Sequence, residues 1–186
     1  MAFEIDKKGN WGEPKLADKS GVVNTDQHEG SMCFDGRGKM IFFTRCPNEK
    51  KQNLGCEIWT AELKGKDEWT DAVKLDLKSN DSVSIGHPCV SDDGKFLIFV
   101  ANMQGTLGGK DLWYTTFYKK KGWATPKNMG PEINTPGNEL FPTFYEGNLF
   151  ISSNGHPGLG GLDIYRLMKG LNGEPVVKNM GYPVNS

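Results

Sequence analysis

The sequence has no long apolar run. None approaches the roughly 18 residues that cross a bilayer as a helix, so no membrane-spanning helix is expected. Charge of one sign is missing too: 22 basic against 23 acidic residues leave a net charge of −1. That excludes the electrostatic footprint of a nucleic-acid or anionic-membrane binder. The 3.6-residue spacing of amphipathic helices is absent, which excludes a helical repeat array. No G-x-S-x-G elbow marks a nucleophilic serine. Only His28, His87 and His156 supply imidazoles, and no CxxC pair accompanies the four cysteines, so no zinc site is expected. The sequence opens without a basic and apolar leader, so no signal peptide is expected.

What is present points to β structure. The chain has 186 residues, enough for one domain with a sizeable core. Its 24 glycines and 11% aromatics suit a turn-rich all-β protein. Residues 138–165, NELFPTFYEGNLFISSNGHPGLGGLDIY, read as two strands, a glycine-rich loop and a third strand. Related stretches lie at 82–114 and, more loosely, at 28–60. Trp11, Trp69 and Trp123 are 58 and 54 residues apart; Glu57, Asp111 and Asp163 are 54 and 52 apart. The dipeptides Asp35-Gly36, Asp93-Gly94 and Glu146-Gly147 follow at 58 and 53. A period near 50 with about four strands per unit is that of β-propeller blades.

The repeat predicts three complete four-stranded blades plus a partial one, an incomplete ring or fragment. The blades cover about 25–80, 81–134 and 135–179. About 1–24 would end a preceding blade, because residues 3–11 align without gaps to 61–69. Residues 180–186 would begin the next. The repeats therefore favour a piece of a longer chain. Strands are expected at 31–34, 40–45, 57–63 and 69–75, then at 86–91, 96–102, 111–118 and 123–127. The third set is 140–145, 149–153, 162–168 and 174–178. Continuous apolar runs such as MIFFT, FLIFVA and LFISS predict second strands buried on both faces. Trp59, Trp113 and Tyr165 end an Ile/Leu–aromatic pair in each third strand and should fill space between blades.

Candidate chemistry mostly reduces to scaffold. Cys46 and Cys56 flank a polar loop between two strands, where a disulfide would stabilise by about 2–3 kcal/mol and imply an oxidising compartment. Cys33 and Cys89 occupy one repeat position, shared with Thr143, and read as small buried residues. The loops LGGKD and LGGLD lack the strand–loop–helix setting of a phosphate cradle. Their glycines are expected to take positive φ before the third strand. Asp111 and Asp163 are then expected to accept backbone N–H groups of their own turn or of the next blade. One carboxylate per site falls short of the six to eight oxygens calcium takes, so no metal or cofactor is expected. His28 and His87 lie near repeat-equivalent places before the first strand and read as scaffold. SDDG at 91–94 is similar to the sialidase Asp box, but its aromatic, Phe96, stands at the wrong offset.

The segments CVSDDGKFLIFVAN with GGKDLWY, and PTFYEGNLFISSN with GGLDIY, resemble the WD40-like (PD40) propeller repeat, also found in the TolB propeller. The pattern W-x-x-P-x-x-M-G-x-x-I-N-T-x-x-x-E-x-x-P at 123–142, with RCPNEKKQNLGCEIW at 45–59, is similar to the propeller of PorE-like OmpA-family lipoproteins of the Bacteroidetes type IX secretion system. The resemblance implies a periplasmic, outer-membrane-associated parent, a lipoprotein whose peptidoglycan-gripping domain is not in this sequence. It implies a non-enzymatic scaffold with a protein partner in the outer membrane or periplasm. Three blades leave apolar faces open, so self-association or completion by further chain is expected. The loops at 47–54, 103–107 and 156–159 are the candidate surface. The alternatives are a propeller that binds or processes cell-wall glycan, and an accessory propeller of a peptidase.

Overall fold

Antiparallel hairpin pairing builds the whole fold. The computed structural model describes residues 5–15, 18, 20–48, 54–65, 68–170 and 172–186, and those residues contain strands and turns without a helix. The first sheet runs β1 (His28–Phe34), β2 (Met40–Cys46), β3 (Glu57–Glu62), β4 (Val73–Lys74), side by side in chain order. The second has β5 (Ile85–Val90), β6 (Phe96–Ala101) and β7 (Asp111–Tyr118). Its outer strand is split into β8 (Gly122–Trp123) and β9 (Lys127–Asn128), both paired with β7. The third is β10 (Glu139–Tyr145), β11 (Asn148–Ser153), β12 (Asp163–Lys169) and β13 (Pro175–Asn179). Strand starts and ends fall within a few residues of the sequence expectation. In the segment read as the end of a preceding blade, the described residues give an Ile5–Trp11 bridge in the same pattern as Leu63–Trp69. Residues 1–4, 16, 17 and 19 of that reading lie outside the described residues.

The three sheets repeat in register as well as in order. Cys33 faces Phe42, Cys89 faces Ile98 and Thr143 faces Phe150, so these are one position in three copies. Each first strand carries a bulge just before that position, after Gly30, Gly86 and Leu140. The extra residue there, Ser31, His87 or Phe141, has positive φ (20°, 49° and 50°). A bulge re-aims the strand, and the repeated one lets the first strands lie side by side: β1 packs on β5, and β5 on β10. His87 thus sits inside β5 at the bulge, in register with Ser31; His28 matches Ser84 and Asn138. The two histidines are not repeat equivalents.

Cores form between sheets. Phe42 and Ile58 of the first sheet lie against Leu97, Phe99 and Trp113 of the second. Ile98, Val100 and Leu112 of the second lie against Leu149, Ile151 and Tyr165 of the third. A third cluster, Ile41, Phe43 and Ala61, takes in Trp59 and is covered by Val22 and Val23. Strands β2 and β6 are therefore buried on both faces. Strand β11 buries Leu149 and Ile151 but leaves Phe150 half-buried, because no described element covers the far side of the third sheet.

The turn dipeptides align differently from the sequence reading. Asp35 N–H donates to Met40 O, and Ser91 N–H to Phe96 O, which makes Asp35 the equivalent of Ser91. The positive-φ glycines of these turns are Gly38, Gly94 and Gly147. Asp93-Gly94 therefore matches Arg37-Gly38, two residues beyond Asp35-Gly36.

Candidate functional site

The connections β2–β3, β6–β7 and β11–β12 all emerge at one end of the stack, where the first strands begin. Each of the first two clasps the next sheet. Ile85 N–H donates to Cys56 O at 3.0 Å, and Glu139 N–H to Lys110 O at 2.8 Å. Gly55 N–H donates to Asp81 O and Gly109 N–H to Gly137 O. These contacts explain the glycines. A Cβ on Gly55 would stand 2.0 Å from Val83 O, and one on Gly108 would stand 2.4 Å from Gly137 O. Gly108, Gly109, Gly160 and Gly161 do not have the positive φ expected of them; close approach of two backbones, not turn conformation, selects the residue type at Gly108.

Asp111 and Asp163 begin their third strands and are almost fully buried. Asp111 accepts from Leu107 N–H (2.8 Å), Gly108 N–H (3.4 Å) and Asn128 Nδ2 (2.7 Å). Asp163 accepts from Leu159 N–H, Gly160 N–H and Asn179 Nδ2. The sequence reading missed what Asn128 and Asn179 then do. Asn128 Oδ1 accepts from Gly130 N–H and from Asn134 Nδ2, while Asn134 spans Leu112, accepting its N–H (2.8 Å) and donating to its O (3.0 Å). Asn179, Asn185 and Ile164 repeat this arrangement atom for atom. The signal was the matched pair NMGPEINT and NMGYPVNS.

In the first sheet, register puts Glu57 where Asp111 stands and Lys74 where Asn128 stands. The carboxylate–amide network becomes an ion cluster: Glu57 Oε1 lies 3.2 Å from Lys74 Nζ and 3.3 Å from Lys78 Nζ. Its loop is closed by the Cys46–Cys56 disulfide, which the other two sheets lack.

The third-strand aromatics Trp59, Trp113 and Tyr165 each join an apolar cluster. Trp113 and Tyr165 enter the two inter-sheet cores, and Trp59 enters the cluster on the face of the first sheet turned away from the second. The Arg45 guanidinium covers Trp59 at 4.7 Å and Phe43 at 5.1 Å. It also bonds Glu29 and the carbonyls of Val22 and Val23. Tyr165 OH donates to the carbonyls of His156 and Pro157, whereas the indole N–H groups of Trp59 and Trp113 are buried without an acceptor among the described residues. Trp69 and Trp123 pair across hairpins with Leu63 and Phe117, and Trp11 with Ile5.

Of the candidate surface loops, residues 49–53 of the first lie outside the described residues. Met103 is buried and His156 half-buried, its Nε2 2.8 Å from Ile133 O, so neither belongs to an open surface. Leu54, Leu107, Leu159 and Leu162 are exposed at this end. Near the first strands the same end holds a cavity of about 270 Å³ reached by His28, Glu29, Ser84, His87 and Lys110. His87 is stacked on Phe141 at 4.2 Å. Burial, and then the Lys110 cation, lower its pKa from the ordinary value, which keeps it neutral near pH 7. Burial pushes the free thiols up, Cys33 to about 12 and Cys89 to about 11, so both are inert packing groups.

No protein-family model and no curated protein matches the chain. Among solved structures it is similar to a puromycin-hydrolyzing peptidase of Mycobacterium tuberculosis, with TM-score 0.56 and 13% identity over 87% of this chain and 23% of that one. It is also similar to the tricorn protease, with TM-score 0.52 and 8% identity over 95% of this chain and 20% of that one. The chain thus spans less than a quarter of the length of either solved chain. At such identities the likeness bears on the fold alone, and with three in-register antiparallel sheets it makes the chain all-β and β-propeller-like.

Proposed function

We propose that the chain is a run of three propeller blades serving as a non-catalytic protein-interaction scaffold. In this reading residues up to about 24 belong to a preceding blade and 180–186 begin a further one. Its setting is the periplasmic face of an outer membrane, in support of type IX secretion, as the sequence resemblance implies. One observation carries the interaction role. Three strand connections reach one end of the stack and expose four leucines there: Leu107, Leu159 and Leu162 on loops braced by the buried Asp111 and Asp163 carboxylates, and Leu54 on the loop closed by the Cys46–Cys56 disulfide. Exposed apolar groups on rigid loops are what a partner surface uses.

The stack is also built to continue. Phe42 and Ile58 are buried under the second sheet, and Ile98 and Leu112 under the third. At the same register in the third sheet Ile164 is 38% exposed. A further sheet, from the parent or from a second copy, fits that face.

Photo-crosslinking in the envelope of the native host tests the role. A crosslinker at Leu107 or Leu159 should capture one discrete protein, while the same group at Lys39 or Lys120, on turns joining other strands, should not. Equal capture from both ends, or hydrolysis of peptides or glycosides by the purified protein, would overturn the reading.

A further inference from the structure

Between the first and second sheets, on the side of Phe117 and Trp123, lies a groove of about 350 Å³. The repeat supplies its own control. The same place between the second and third sheets is filled by the rings of Phe96 and Tyr114, 5.4 Å apart and packed into the core there. Register puts Met40 and Thr60 at those two positions in the first sheet. Two aromatic rings are therefore replaced by a thioether and a threonine, and the space stays open.

The facing wall is richer than its counterpart. Phe117 and Trp123, with ring centroids 5.4 Å apart, stand where the third sheet has Lys169 and Pro175. Trp123 also meets Phe42 edge to face at 6.0 Å. Phe117 is 37% exposed, and Met40 and Trp123 are half-buried. The connection at 91–95, longer than the two-residue turn of the third sheet, brings Asp93 and Lys95 to the rim. Arg37 and Asp35 complete it. Asp93 and Lys95 pair at 3.4 Å, and Arg37 and Asp35 at 3.1 Å, so the two cations and two carboxylates cancel.

From these features we infer that the groove binds a neutral sugar ring. A volume in the range of small-ligand sites, about 300–1,000 Å³, suits one or two pyranose units. The apolar wall takes the C–H face of the ring. Hydroxyls need donors and acceptors together, which Arg37, Lys95 and Asp93 provide. Because the rim carries no net charge, it selects neither an anion nor a cation. An aromatic side chain would use the wall but would strip water from Asp93 and Lys95 without replacing it, at a cost. This site is independent of the leucine-bearing loops.

The test follows the Trp123 indole N–H resonance while methyl glycosides of glucose, galactose, mannose and N-acetylglucosamine are added at millimolar concentration. At least one should move it saturably. Thr60→Tyr installs the residue that the second sheet carries at this register, and should abolish the shift with the fold intact. Met40→Phe serves the same purpose if T60Y fails to fold. Arg37→Ala, exposed and outside the core, should weaken binding several-fold. The inference is overturned if no glycoside moves the resonance, or if the shift survives filling of the groove. It is equally overturned if N-acetyltryptophanamide moves the resonance and no glycoside does, which would give the groove to an aromatic side chain of a protein partner.

Discussion

The first and second sheets solve the same local problem with different chemistry. Both must anchor the start of a third strand beneath a loop that clasps the next sheet. The second uses a buried carboxylate, Asp111, and neutral amides, Asn128 and Asn134, with the loop folded onto the carboxylate. The first uses Glu57 with two lysines and a covalent bridge, Cys46–Cys56. Where the glycine loop gives its N–H groups to the carboxylate, amides suffice. Where the loop is a polar excursion, charge and a disulfide replace them. The difference teaches that position in the repeat, not residue type, carries the structural role.

Four results would break or sharpen that contrast. The largest effect is expected at Asp111→Ala, which strands three donors in a dry site, at about 1–3 kcal/mol for the first and less for those that reach water. Urea unfolding should show a loss of about 3–4 kcal/mol in sum. Reduction of Cys46–Cys56 should cost about 2–3 kcal/mol through regained loop entropy and leave the fold in place; thiol counting under denaturing, non-reducing conditions should find two free thiols, Cys33 and Cys89, and four would refute the bridge. Glu57→Gln should cost less, about 0.5–1 kcal/mol, and the cost should shrink as salt rises, because Lys74 is half exposed.

The smallest effect concerns acid. Asp35 is desolvated, yet the Met40 and Lys39 N–H groups and the Arg37 guanidinium outweigh that and hold its carboxyl below the ordinary value. Its folded pKa is thus depressed, so the stability it contributes is present above the unfolded value, about 3.9, and is lost as pH falls through the folded value. Asp35→Asn should flatten this part of the acid limb in a thermal-denaturation series. The corresponding turn of the third sheet, Glu146-Gly147, has two residues and no such acceptor.

The sequence made the sheets legible because hairpin strands announce themselves locally. Alternating or continuous apolar runs and a period near 50 placed all three sheets, and two cysteines flanking a polar loop placed the disulfide. Errors arose where spatial neighbours decide. The glycines of LGGKD were read as conformational, whereas Gly108 serves an approach between chain segments far apart in sequence. The Asp-Gly dipeptides were matched by identity, although the positive-φ glycine, two residues on in the first copy, marks the equivalent position. His87 was aligned with His28 because a bulge is invisible in one sequence. The asparagine clasp was visible as NMGPEINT and NMGYPVNS, but its meaning needed the distance from Asn134 to Leu112. The groove could not be read at all, since it is defined by what Met40 and Thr60 fail to fill.

Nuclear Overhauser contacts from the side-chain amides of Asn134 and Asn185 test the shared clasp most directly. Each should sit beside one backbone amide, Leu112 for the first and Ile164 for the second, and exchange slowly with solvent at Asn134. Fast-exchanging side-chain amides with no such contacts would contradict a repeat whose copies are held in register by equivalent polar residues.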